Sequence, residues 1–180
     1  EGRTLTGIGG VYYAQGQYEE ALGYFQQALA IFREVGDRAG EGTALDAIGE
    51  VYHAQGRYEE ALEYYQQALA IAREVGDRAE EGRSLNNIGG VYHAQGRYEE
   101  ALEYLQQALA IRREVGDRAG EETTLHNIGM VYDDQGRYEE ALEYLQQALE
   151  IEREVGDRDG EGRTLTGIGG VYYAQGQYEE

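Results

Sequence analysis

The sequence predicts an all-α solenoid of antiparallel helix pairs, and three observations carry that expectation. Sequence blocks recur every 40 residues without insertion, apolar residues recur inside each block at helical spacing, and proline is absent. The string QGxYEEALxYxQQAL begins at Gln15, Gln55, Gln95 and Gln135, and REVGDR begins at Arg33, Arg73, Arg113 and Arg153. Self-similarity at a fixed period of this length marks stacked supersecondary units. The chain therefore reads as a single array over residues 1–180. It comprises repeats 1–40, 41–80, 81–120 and 121–160 and a half-repeat 161–180.

Each repeat reads as two helices. In the third unit the first helix starts at Asp77, an N-cap with Glu80 at the capping-box position, and passes through Leu85, Ile88, Gly89, Val91 and Tyr92 to a stop at Gly96. Interior glycine costs roughly 1 kcal/mol against alanine in a helix. The glycine that recurs at positions 9, 49, 89, 129 and 169 is therefore expected where two helix backbones approach too closely for a methyl group. In the second helix, Ala61, Leu62, Tyr65, Ala68, Leu69, Ala72 and Val75 follow i, i+3, i+4 spacing, widened by Tyr64 and Ile71. Glu59 and Glu60 favour the positive end of its dipole, and Gly76 suits a left-handed residue after its end.

Composition removes several functions. The 180 residues hold 35 acidic and 15 basic side chains, a net charge of −20, with every basic residue Arg and no Cys. Such a charge repels phosphate backbones, so no nucleic-acid partner is expected. No apolar run approaches the ~20 residues of a membrane span, and no signal-peptide pattern opens the chain, so a cytoplasmic location and no membrane partner are expected. Catalysis needs a nucleophile, a base and an orienting group converging on one place. The one serine is Ser84, and the carboxylates recur at solvated helix ends, so no enzyme and no cofactor are expected.

Leu45, Ile48, Gly49, Tyr52, Gly56, Tyr58, Ala61, Tyr65 and Ala68 follow the spacing of the tetratricopeptide repeat, and the match returns in every unit. The chain resembles that family along essentially its whole length. Two departures stand out. The usual unit has 34 residues, and it carries a proline where Arg33, Arg73, Arg113 and Arg153 stand here. The helices should therefore run longer, with the extra residues absorbed around the Gly-Asp-Arg turn. This long unit is similar to those of the Pins / Leu-Gly-Asn-repeat scaffold proteins and of bacterial repeat arrays. The resemblance implies a right-handed superhelix whose first helices line a concave groove that binds peptides or protein segments. The lysine-based carboxylate clamp of chaperone-binding members is not expected, because the chain has no Lys and Gly10, Glu50, Gly90 and Met130 replace the clamp asparagine, which leaves a variant built on Arg as the alternative.

Comparison of the copies within the chain nominates the binding residues. On first helices, Leu85, Ile88, Gly89 and Tyr92 keep their identity from unit to unit, whereas positions 83, 86, 87, 90, 93 and 94 change and fall on one helical stripe. Unit by unit, the stripe and its neighbours offer Arg3, Thr6 and Tyr13, then Asp46, Glu50 and His53, then Arg83, Asn86, Asn87 and His93, and finally His126, Asn127, Met130, Asp133 and Asp134. Asparagine both donates and accepts, which suits an extended peptide backbone. Arg83 is expected to grip a carboxylate, and Gly10, Gly90 and Gly170 to leave room for ligand backbone. His53, His93, Asp133 and Asp134 also resemble a metal set. Neighbouring helices stand ~8–10 Å apart, so they read as groove residues and no metal is expected.

Residues 161–180 are identical to residues 1–20. That identity implies a higher-order period and a segment of a longer array. Exposed cognate ends would favour head-to-tail self-association, the alternative to a peptide scaffold, and a consensus-like designed array would share the same pattern.

Overall fold

Helices form wherever the 3.6-residue apolar spacing places them. The structure is a computed structural model, and it describes residues 1–176. The described residues form α1 (Gly2–Ala14), α2 (Tyr18–Val35), α3 (Arg38–Ala54), α4 (Tyr58–Val75), α5 (Arg78–Ala94), α6 (Tyr98–Val115), α7 (Arg118–Asp134), α8 (Tyr138–Val155) and α9 (Arg158–Ala174), with no strand among them. The expected pairs are all present. Asp37 caps α3 by accepting from the Gly40 amide at 2.9 Å, and Asp77 accepts from the Glu80 amide at 3.1 Å. Gly36, Gly76, Gly116 and Gly156 end the second helices with φ between 71° and 78°, a conformation glycine adopts without steric cost.

The extra length of the unit goes into helix rather than loop. Second helices span 18 residues, the first helices α3, α5, α7 and α9 span 17, and only two residues, such as Gly36 and Asp37, separate a second helix from the next first helix. A staple spans this turn. Arg33 Nε donates to Glu41 Oε1 at 2.9 Å, while Arg38 holds Glu41 Oε2. Glu41 is buried, and burial pushes its carboxyl up, but the two guanidiniums more than offset that and leave it below its ordinary value. The same triad recurs as Arg73–Glu81–Arg78, Arg113–Glu121–Arg118 and Arg153–Glu161–Arg158. Arg38 and Arg118 also reach Glu74 and Glu154 at 2.5 Å, one second helix further along.

Contacts divide the chain into two units, Glu1–Val91 and a second that begins at Tyr92. In the first, α1 packs on α2, α2 on α3 and α3 on α4. Its core joins Leu22, Phe25, Leu29 and Phe32 to Leu45, Ile48 and Val51. In the second, α6 packs on α7, α7 on α8 and α8 on α9, around Leu105, Leu125, Ile128, Val131 and Leu145. Each fully buried Leu or Ile contributes roughly 1.5–3 kcal/mol. First helices also meet one another directly, α1 against α3 and α7 against α9.

The recurring glycines correct one expectation. A Cβ at Gly9 would stand 2.5 Å from Phe25 Cε1, one at Gly49 2.7 Å from Tyr65 Cε1, and one at Gly129 2.7 Å from Leu145 Cγ. The nearest neighbour is thus a buried side chain of the paired second helix, with that helix's backbone also close at Gly129, where Ala141 O stands 3.3 Å from the Cβ. Among the described residues nothing lies within 4 Å of a Cβ at Gly169, and Leu165 on the same helix is 45% exposed.

Candidate functional site

The changing residues of the first helices divide into some that seal helix packing and others that remain open. Asp46 belongs to the first kind. It is 1% exposed, accepts from Arg83 Nε at 2.8 Å and takes a 3.2 Å hydrogen bond from the Ser84 hydroxyl. Burial pushes its carboxyl up to about 7, against the pull of Arg83. Arg83 itself is engaged twice, by Asp46 and by Glu80 at 2.5 Å. The expectation that Arg83 would grip a ligand carboxylate therefore gives way, because α3 sets a carboxylate of its own against it.

The rest of the first unit's face is more open. Arg3 is exposed, and Thr6, Tyr13, Glu50, His53, Asn86 and Asn87 are half-buried. Thr6 donates its hydroxyl to the Gly2 carbonyl at 3.1 Å. Arg3, Thr6, Thr43 and Glu80 line a cleft of about 270 Å³ floored by Phe32. Further along the same helices, Tyr13 packs on Tyr18 and His53 on Tyr58, each with ring centroids 5.8 Å apart. Burial lowers the His53 pKa, so this ring stays neutral near pH 7. Burial, with a contribution from the Glu50 carboxylate, raises that of the Tyr13 phenol. A Cβ would find nothing within 4 Å at Gly10, and only His53 Cε1 at 4.0 Å at Gly90. The absent side chains do leave open space there.

In the second unit, His93 Nε2 lies 2.7 Å from Asp134 Oδ2, and the His93 ring packs on Tyr98 at 6.0 Å. Asp133 is half-buried beside Asp134, and burial followed by that neighbour raises its carboxyl. Asn127 and Met130 are half-buried, and the Met130 sulfur lies 3.6 Å from where a Cβ at Gly167 would stand. His126 turns into the packing. Its Nδ1 lies 3.0 Å from the Thr164 hydroxyl, which donates to Glu152 Oε1 at 2.7 Å. Because the threonine proton goes to the carboxylate, His126 Nδ1 carries the proton of its own bond.

Sequence reasoning missed Glu152 and Glu122, buried together behind this chain, and it missed the ring partners Tyr18, Tyr58 and Tyr98. The tyrosines had a signal. Each stands five residues after a changing position that holds Tyr13, His53 or His93. Among the described residues no group of three His, Cys, Asp or Glu side chains is placed to hold a metal ion, and no helix is long and apolar enough to cross a membrane.

No curated protein matches the sequence significantly. Among solved structures, the chain is similar to BtubC (BKLC) from P. vanneervenii, at 20% identity and a TM-score of 0.85, over 98% of this chain and 74% of that one. It is similar to the nearly identical TPR-like repeats of a putative kinesin light chain from Podosopora anserina, at 23% identity and a TM-score of 0.76, over 97% and 87% of the two chains. It also resembles the Rap conjugation gene regulator of the plasmid pLS20, solved in complex with the Phr* peptide. That match has 20% identity and a TM-score of 0.84, and covers 97% of this chain but 48% of that one. At these identities the likeness is one of fold. The tetratricopeptide-repeat profile matches residues 1–74, 40–114, 80–154 and 120–180, so that with its helix pairs, sealed glycines and 40-residue period the chain belongs to the tetratricopeptide-repeat family.

Proposed function

We propose that the chain is a non-catalytic scaffold that holds an extended peptide or protein segment along the face of its first helices. The observation that carries this reading is where change is allowed. Residues that keep their identity between units, such as Leu45, Leu85, Ile48 and Ile88, are sealed. Those that change and stay accessible, Thr6, Tyr13, Glu50, His53, Asn86 and Asn87 in the first unit and Asn127, Met130 and Asp133 in the second, lie on the first helices of their own units. Drift on an unused surface would scatter over the second helices as well. Their outer faces instead repeat Glu59, Glu60, Gln66 and Gln67 and their equivalents almost unchanged. The Rap relative, solved with a peptide, supports the same reading by analogy of fold.

The experiment is a fluorescence-anisotropy screen of a panel of acidic and basic peptides against the chain and against Asn87→Ala and Asn127→Ala. Loss of an amide that hydrogen-bonds a peptide backbone should weaken binding about five- to tenfold, or about 1 kcal/mol. Peptides that bind both variants as tightly as the parent chain would remove the first-helix face from the account.

A further inference from the structure

The first unit contains one half-buried carboxylate that its own fold leaves without a hydrogen bond or ion pair. Glu50 is half-buried on α3, and among the described residues it makes no hydrogen bond and no ion pair. At the equivalent position the neighbouring first helices carry Gly10 and Gly90, so no side chain flanks it from that column. The register between first helices shows what does stand beside it. Arg83 meets Asp46 across an offset of 37 residues. Gly90 lies against His53, and the Glu50 carboxylate acts on Tyr13, with that same offset. One step further, the offset sets Asn87 next to Glu50, and the Asn87 Nδ2 atom is shut off from solvent with no hydrogen-bond partner.

We infer that Glu50, walled by Tyr13, His53 and Asn87 and left open by Gly10 and Gly90, is a pocket for one cationic side chain, an Arg or Lys of the bound segment. This rests on the proposed first-helix binding face and names the chemistry that one part of it selects. A cation over an aromatic ring gains roughly 0.5–2 kcal/mol, more as it is desolvated, and a carboxylate beside the ring adds a charge-assisted hydrogen bond. His53 does not oppose the ligand, because burial keeps its ring neutral. The nearest cation of the protein, Arg83, is already spent on Asp46 and Glu80. Burial, with Glu80 adding its own negative charge, holds the Glu50 carboxyl above its ordinary value despite Arg83. Gly10, Gly90 and Met130 at the equivalent places make the pocket peculiar to the second repeat.

The test uses the full 180-residue chain, labelled for side-chain carboxyl and aromatic NMR. The probes are acetyl-arginine amide, acetyl-lysine amide and the neutral isostere acetyl-citrulline amide, followed by Gly-Ser dodecapeptides bearing a single central arginine or citrulline. The two cationic probes should move the Glu50 carboxyl carbon and the Tyr13 and His53 ring signals, and citrulline should not. Glu50→Gln should weaken the arginine dodecapeptide at least tenfold. Glu50→Met, which installs the residue that the fourth repeat tolerates at position 130, should do the same with the fold intact. Equal shifts from arginine and citrulline, or undiminished binding by both variants, would overturn the pocket. Dodecapeptides that perturb Thr6 and Asn87 whatever their central residue would keep the binding face while removing the pocket. Dodecapeptides that perturb no first-helix signal would remove both.

Discussion

Helix α1 contains two glycines that test the packing argument against the propensity argument. Gly7 and Gly9 are two residues apart in one helix, so each gains the same intrinsic helix stability on substitution by alanine, about 1 kcal/mol. Their surroundings differ. A Cβ at Gly7 meets nothing within 4 Å, whereas one at Gly9 falls 2.5 Å from Phe25 Cε1, 2.7 Å from Cδ1 and 3.1 Å from Cζ. Phe25 is 4% exposed and packed among α2 and α3, so the ring has nowhere to retreat. Overpacking a buried site costs about 1–3 kcal/mol. Gly7→Ala should therefore stabilise α1 by about 0.5–1 kcal/mol, and Gly9→Ala should leave it neutral or destabilised by up to about 2 kcal/mol. In the difference between the two the propensity gain cancels, and the steric cost of about 1–3 kcal/mol remains. Repeat arrays unfold locally, so amide exchange along α1 is the appropriate readout, with urea unfolding beside it. Gly7→Ala should slow α1 exchange severalfold, and Gly9→Ala should match or exceed the parent rate. Equal stabilisation by both would refute the claim that this glycine column exists to seat a second-helix side chain.

Glu41→Gln removes the shared anion of Arg33 and Arg38; both arginines are about half exposed, so urea unfolding should show a loss of only about 1–2 kcal/mol. Because the Glu41 and Glu81 carboxyls lie below their unfolded values, the stability they contribute is present above the ordinary carboxylate range and lost as pH falls through their folded values. Glu41→Gln should accordingly flatten the acid limb of a urea-midpoint profile. Glu122 carries the opposite sign. Burial and the adjacent Glu152 raise its carboxyl to about 7, so the folded chain holds more protons there and stability falls as pH rises from near the ordinary value toward 7. Midpoints measured from about pH 5 to about pH 8 should decline in the parent chain and decline less steeply in Glu122→Gln, where the raised Asp46 carboxyl still carries part of the slope. Gly56→Ala forces a Cβ onto a φ of +71° between α3 and α4 and should cost about 1 kcal/mol in the same assay.

The period, the pairing and nearly every helix end were legible before any coordinates, because each depends on spacing within a single repeat. Asp77 as a cap and Gly76 as a left-handed stop need only their immediate neighbours. The fate of Asp46 and Arg83 was not legible for a corresponding reason. Whether they open to a ligand or close on each other is decided by the 37-residue register between first helices, and a 40-residue sequence period does not state that offset. The role of Glu41 was not legible either. Its recurrence at 81, 121 and 161 resembles solvated acidity, and only the two-residue turn folds Arg33 back over it. The invariant spacing of eight residues between Arg33 and Glu41 was the available signal. The open residues Tyr13, Glu50 and Asn87 were found because change between copies needs no register to be seen.

One core position shows how nearly identical repeats come to differ. At 32, 72, 112 and 152 the second helix presents Phe, Ala, Arg and Glu to the start of the first helix that follows. Phe32 packs its ring into that space, and a Cβ at Gly40 would stand 2.4 Å from it. Ala72 leaves a small void beside Ser84 and Glu80. Arg112 turns to the capping Asp117, and Glu152 is wholly buried under Thr164 with Oε2 unpaired. Each side chain is matched by the next first helix: glycine at 40 admits the ring, and threonine at 164 supplies the proton that a buried carboxylate requires. A first helix that follows Glu152 therefore needs a hydroxyl where Thr164 stands, which the Ala44 of the second repeat would not supply.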